Sequence, residues 1–188
     1  MTRKRLTVAG IVGCALMGGS VLATSALWRQ SISLDGGDVR AGSVVLLNGS
    51  ATSQVKTYAF TPLAGATLKP GSSVQAPLVI RNGGTAPLAY RLVQTTSSGS
   101  AVLPGQLLLR LDVVPSSCVT GVGQAPATGV TANLYNGVLP GASTAPPRPL
   151  AVGATETLCV RVSVASGAPK SASGAATTTT FTFGAEIP

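Results

Sequence analysis

After its first 26 residues the chain contains several runs in which apolar and polar positions alternate, which is the period of a strand. Val74, Ala76, Leu78 and Ile80 alternate with Gln75, Pro77, Val79 and Arg81. One set can therefore pack inward while the other carries polar or tolerated groups. Leu88, Tyr90 and Leu92 resume the alternation against Arg91. Leu107, Leu109, Leu111 and Val113 make a further apolar face opposed by Arg110 and Asp112, with Pro115 as its stop. Leu158, Val160, Val162 and Val164 repeat the device with Cys159, Arg161 and Ser163 opposite. The last predicted strand, Thr177 to Phe183, is rich in β-branched and aromatic residues, and Phe181 and Phe183 share its buried face. No segment keeps a helical period for a dozen residues.

Turn chemistry separates these runs. Arg81-Asn82-Gly83-Gly84-Thr85 supplies residues that adopt positive φ cheaply and predicts a hairpin or a tight corner between sheets. Pro77 and Pro87 cannot donate to a ladder, which places them at an edge, a bulge or a strand start. Earlier strands are expected at Ser43 to Leu47 and Val55 to Phe60, joined through Asn48-Gly49-Ser50. That triplet is formally a glycosylation acceptor and is read here first as a hairpin turn. Gly121 to Pro149, rich in Gly, Ala, Ser and Pro around a short Leu134-Tyr135 piece, is expected to be a long connection. Short strands with Gly/Pro turns at this spacing predict an all-β fold, an antiparallel two-sheet sandwich of Ig-like or jelly-roll type. No fixed internal repeat is present.

The beginning of the chain has a different organisation. Arg3-Lys4-Arg5 precedes an apolar run from Leu6 to Leu22, and Ala23-Thr24-Ser25-Ala26 stands ahead of Leu27-Trp28. Basic, apolar and small-residue regions in that order are the layout of a secretory signal, with cleavage expected between Ala26 and Leu27. The alternative is an uncut anchor, for which the run is short and interrupted by Gly10, Gly13, Gly18 and Gly19. The expected organisation is a signal peptide over 1–26, an N-terminal segment over 27–42 and a β-sandwich domain over 43–188. Removing 26 residues from 188 leaves 162, enough for one domain with a real core.

Three of the 13 basic residues lie in the signal and all five acidic residues lie beyond it, so the net charge falls from +8 to +5 on cleavage. The remaining cations are scattered and aromatics are few, so no nucleic-acid footprint is present. Cys14 lies in the signal, and the exported part keeps Cys118 and Cys159. An even pair outside the cell predicts a disulfide, and the alternative is two free thiols. The bridge would close about 40 residues and contribute on the order of 4 kcal/mol in the chain-entropy model. Because Cys159 is opposite the apolar face of its strand, it would pin a loop onto the outside of the sheet.

Catalytic chemistry finds little material. The chain has no histidine, which removes Ser-His-Asp and Cys-His nucleophile systems, the His-Glu-x-x-His zinc motif and imidazole bases. Five scattered acidic residues offer little for glycoside hydrolysis. Asp35-Gly36-Gly37-Asp38 is the one dense acidic spot and reads as a turn, since calcium takes about six or more oxygens. Gly121-Val122-Gly123 lacks the further glycine and lysine of a phosphate loop. The expectation is a protein without enzymatic activity, cofactor or metal.

Several motifs together carry a resemblance. The signal ending Ala23-Thr24-Ser25-Ala26-Leu27-Trp28 is followed by Ser31 to Leu34, Gly36-Gly37 and Val39-Arg40-Ala41-Gly42-Ser43-Val44. Leu68-Lys69-Pro70-Gly71-Ser72-Ser73 precedes a strand, Ile80 to Leu88 forms the turn region, and Phe181-Thr182-Phe183-Gly184-Ala185-Glu186 comes near the end. This plan resembles the TasA/camelysin family of Gram-positive proteins exported with SipW-type signal peptides. The resemblance implies a secreted sandwich that assembles into extracellular biofilm-matrix fibres. In such fibres an N-terminal segment of one subunit completes a sheet of the next, a form of β-strand addition. Here that segment would be Leu27 to Arg40, with Ser31, Ile32, Ser33 and Leu34 as the candidate donor strand. The other outcome is that it folds back on its own domain. The partners expected are signal peptidase, then another copy or another exported surface protein, with membrane contact only through the uncleaved signal. Two alternatives remain: a monomeric surface-binding or adhesin-like Ig-type module, and a camelysin-like metallopeptidase, whose usual histidine ligands this sequence lacks.

Overall fold

Strands form where the alternation is strongest, and the computed structural model describes them within residues 42–56, 60–61, 67–115 and 118–188. The predicted signal peptide, the cleavage pair Ala26 and Leu27, and the donor candidate Ser31, Ile32, Ser33 and Leu34 lie outside the described residues. In chain order the strands are β1 (Leu46–Gly49), β2 (Gln54–Val55), β3 (Ser73–Asn82), β4 (Leu88–Gly99), β5 (Leu107–Val114), β6 (Gly121–Val122), β7 (Ala132–Val138), β8 (Arg148–Leu150), β9 (Thr155–Val164) and β10 (Thr177–Glu186). All belong to one compact unit, Ala41–Pro188.

Two antiparallel sheets pack face to face. The larger runs β2-β1-β3-β9-β5-β7, with β6 also on β3, and the smaller runs β10-β4-β8. The pairs β3·β9, β4·β8 and β5·β7 are nested one inside the next along the chain. That is a long hairpin rolled over two sheets, and of the two plans expected it is the jelly roll rather than the Ig order. The core is the set of inward faces foreseen above: Val74, Leu78 and Ile80 from β3, Leu88, Tyr90 and Leu92 from β4, Leu107, Leu109, Leu111 and Val113 from β5, and Leu158, Val160, Val162 and Val164 from β9. Phe181 and Phe183 of β10 pack against it, and Phe60 meets Phe181 edge to face with ring centroids 6.4 Å apart.

Asn82 organises the corner between β3 and β4. Its side-chain amide donates to the Ala86 and Leu150 carbonyls at 2.9 and 3.1 Å, and its Oδ1 accepts from the Gly84 amide at 2.9 Å. The corner joins the two sheets and is not a hairpin. Its glycines also serve differently from expectation, because neither Gly83 nor Gly84 has positive φ. Gly84 is needed for close approach: a Cβ there would lie 2.2 Å from the Ser43 carbonyl oxygen. The chain enters the domain at this point, with the Thr85 amide donating to Ser43 O and the Ser43 amide donating to Thr85 Oγ1, both at 2.9 Å.

Two other expectations are corrected. Asn48-Gly49 belongs to β1, with Asn48 opposite Val55, and the turn is the following Ser50 to Ser53, closed by Ser50 N to Ser53 O at 2.9 Å. Gly49 sits against this turn, where a Cβ would be 2.0 Å from Ser53 O. The stretch Gly121 to Pro149 is not one connection, since it contains β6, β7 and the start of β8. Both prolines follow the expected rule. Pro87 directly precedes β4, and Pro77 falls between the residues at which β6 and β1 pair with β3, Val74–Gln75 and Val79–Asn82.

Candidate functional site

Three places on this scaffold concentrate polar chemistry, beginning with a cluster between the sheets. Tyr90 of β4 is an inward residue of an apolar run, and Glu156 of β9 and Arg148 of β8 face it. The Tyr90 hydroxyl donates to Glu156 Oε2. Arg148 grips the same carboxylate with two donors, Nε to Oε2 at 2.6 Å and Nη2 to Oε1 at 2.7 Å. This planar two-point geometry is the strong form of the arginine–carboxylate pair. Burial pushes the Tyr90 phenol above its ordinary range, and the bond to Glu156 adds to the effect. The hydrogen bonds to Glu156 hold the Arg148 guanidinium above its own ordinary range. Both shifts favour the protonated phenol and the charged guanidinium that these hydrogen bonds require.

A cleft of about 250 Å³ opens beside it, lined by Tyr90, Leu92, Leu134, Pro146, Arg148 and Phe183 among others. It lies where β8 ends. Beyond Arg148–Leu150 the free side of β4 is served by the preceding segment: the Thr144 amide donates to Leu92 O, the Leu92 amide to Thr144 Oγ1, and the Gly141 amide to Thr95 O. Ala145-Pro146 in this wall is a cis peptide.

The second place is the outer face of the larger sheet. Cys118 and Cys159 are joined by a disulfide with 5.5 Å between their α-carbons, on the side of β9 away from the core as expected. The bridge lays the segment after β5 over that face. Under it Gln75 is 2% exposed, and its amide donates to Val119 O at 3.1 Å and Ala125 O at 3.0 Å. Arg161 Nη1 donates to Gln75 Oε1 and to Gln124 O, each at 2.9 Å. Asp112, 3% exposed, is held by Arg110 at 2.6 Å and by the Asn133 amide at 2.7 Å. Alternation marked Gln75, Asp112 and Arg161 as outward-facing. The expected bridge put a loop on that face, but nothing in the sequence said which of its side chains the loop would bury.

The third place is a pair of sheet edges that differ in kind. At the β7 edge a side chain occupies an outward backbone carbonyl of its own strand, with Tyr135 Oη donating to Val138 O at 2.6 Å. At the β10 edge the situation is otherwise. The Ser100 amide donates to Ala176 O, so in the observed register Thr178, Thr180 and Thr182 turn their backbone groups toward β4. Thr95 O and the Leu92 amide and carbonyl are engaged on the opposite side of β4, which fixes the same phase. Thr177, Thr179, Phe181 and Phe183 therefore direct N–H and C=O away from the sheet, and no hydrogen bond to them from another described residue closes that edge. The strand carries no proline and no lysine or arginine, and its register shift places the extra residue, Val93, on β4.

Among the described residues no three His, Cys, Asp or Glu side chains gather at a point, and no helix is long and apolar enough to cross a membrane. The sequence singled out Cys118 and Cys159, which the structure brings together. It did not single out Tyr90, Arg148 and Glu156 as a group. No family model, no curated protein and no solved structure matches the chain.

Proposed function

We propose that this protein is a secreted structural or cell-surface protein, a TasA-like subunit of an extracellular biofilm-matrix fibre that assembles by β-strand addition. The observation that carries the reading is the β10 edge, ten residues long and without the proline or lysine that ordinarily blunts such an edge, the extra residue of its ladder lying on β4. An edge of that kind, unpaired among the described residues, accepts a strand from another chain through main-chain hydrogen bonds. Two further observations support the reading. The Cys118–Cys159 bridge suits an oxidising compartment. The chain also enters the domain at Ser43, beside the corner that starts β4, and β4 Ala89 lies opposite Glu186 at the end of β10. A donor segment preceding Ser43 would thus start from the end of the sandwich at which the receptive edge finishes.

Electron microscopy and sedimentation of residues 27–188, beside a version beginning at Gly42 and both kept oxidised, test this. Filaments from the long form alone support donation by Leu27 to Arg40. Soluble monomers from both, over a wide concentration range, overturn assembly and move the weight to a monomeric surface-binding module. The cleft beside Tyr90 and Arg148 favours that second reading, and its test is saturable binding to cell-wall material, lost on filling the cleft by Leu134→Trp. Both readings are non-enzymatic, and the lack of histidine, which removes imidazole bases and ligands, supports them.

A further inference from the structure

We infer that the β10 edge pairs with the β10 edge of a second copy, antiparallel across a two-fold axis, to make a soluble dimer with one continuous sheet β8-β4-β10-β10-β4-β8. This rests on the proposed use of β10 as a strand-accepting edge and names the occupant it takes before any donor segment arrives.

The argument is one of self-complementarity. An isologous contact requires that a surface fit itself after rotation by half a turn. Thr177, Thr179, Phe181 and Phe183 are the residues whose backbone groups point outward. In an antiparallel pair centred on Thr180, Thr179 of one copy opposes Phe181 of the other, and Thr177 opposes Phe183. Outward groups then meet only outward groups, as an antiparallel ladder demands. The side chains agree with the backbone. On the inner face the register sets β-branched against aromatic residues, and on the solvent face it sets Thr180 against Thr180 and Thr178 against Thr182, which are favourable cross-strand pairs. Charge does not oppose it, because the one ionisable residue of β10, Glu186, would lie opposite Gly174 and far from its own copy. Neither β2 nor β7 offers the same, since β2 is two residues long and β7 has its outward carbonyl at Val138 occupied by the Tyr135 hydroxyl.

The consequence is regulatory. A β10 pair closes at two copies and cannot propagate, so it holds the receptive edge covered until a donor strand displaces it.

The experiment uses the protein expressed from the whole sequence in a secreting host, oxidised, and purified as the host releases it. Sedimentation equilibrium is run over a wide concentration range on wild type, Thr179→Pro and Thr180→Lys. Proline removes one outward N–H per copy, and lysine sets two like charges together at the axis while its side chain stays in solvent. The expected result is a two-copy mass for wild type that falls to one copy on dilution, with the dissociation constant raised roughly tenfold or more in each variant at unchanged circular dichroism. Should Thr179→Pro unfold, Thr180→Lys carries the test alone. A two-copy species of unchanged affinity in Thr180→Lys overturns the β10 pair. Wild type that is monomeric at every concentration and still forms filaments overturns the pair and leaves the assembly reading standing. Monomers without filaments overturn both.

Discussion

Tyr90 in the smaller sheet and Glu156 in the larger are hydrogen-bonded to each other across the sandwich, and Arg148 grips the same carboxylate from beside Tyr90. The contact is a polar bolt through an otherwise apolar interface. Glu156→Gln keeps the shape but leaves Arg148 without a counter-charge and turns one acceptor into a donor. It is expected to cost about 2 kcal/mol, the scale of a hydrogen bond to a charged group. Urea unfolding checks this: an unchanged midpoint would mean that the cluster contributes nothing to stability.

The same cluster predicts an alkaline limit. Burial and Glu156 raise the Tyr90 pKa in the folded state, so above about pH 10, where an ordinary tyrosine ionises, the unfolded chain gives up a proton that the native chain retains. Stability from this group is complete below about pH 10 and is lost as pH rises further. Phenolate absorbance should show Tyr90 titrating only together with unfolding. Its ionisation in the folded protein near the ordinary pKa would contradict the prediction.

Gln75 is expected to matter more than its surface position along β3 suggests. Gln75→Ala strands the Val119 and Ala125 carbonyls and one donor of Arg161, and a loss of about 1–3 kcal/mol follows from leaving buried polar groups unpaired. Amide exchange would localise it, with faster exchange across residues 118–125 and β9 unaffected.

Removing the disulfide tests the same cover from its other end. The bridge spans 41 positions, and Cys118→Ser with Cys159→Ala should lower stability by up to about 4 kcal/mol. Less is lost to the extent that Gln75 and Arg161 hold the cover in place unaided. Combining the cysteine variant with Gln75→Ala measures that sharing: the two effects should fail to add, because both act on one segment.

Gly84→Ala should loosen the entry of the chain. The added methyl meets the Ser43 carbonyl oxygen, and overpacking against backbone costs about 1–3 kcal/mol. The nearby Gly83 faces the flexible end of Leu47 instead, so Gly83→Ala should cost less. Equal thermal midpoints for the two variants would refute the distinction.

Five strands were legible because their environment is demanding. β3, β4, β5, β9 and β10 each present a face to the core, and burial imposes alternation on them. β7 was hidden because it is an edge strand, where Ala132, Asn133, Leu134 and Tyr135 need not alternate. The register shift after Leu111 breaks the period further. β8 was hidden by Pro149 and by its length of three residues. Glycine signalled the corners correctly but for a reason other than backbone freedom, since at Gly84 the deciding fact is the carbonyl of Ser43, far earlier in the chain, that approaches a missing Cβ. The Tyr90 cluster and the Gln75 cover are long-range pairings, which periodicity cannot register.

The position of β9 has a consequence for how the molecule comes into being. It lies between β3 and β5 in the larger sheet, although it follows both by more than 40 residues in the chain. A chain delivered N-terminus first, from a ribosome or through a translocation channel, therefore has both neighbours waiting for a strand that arrives late. Closing such long loops is slow because their entropy is spent before the contacts that reward it form. The polypeptide stays threadable until its last quarter has emerged, and then the sheet can close from its centre.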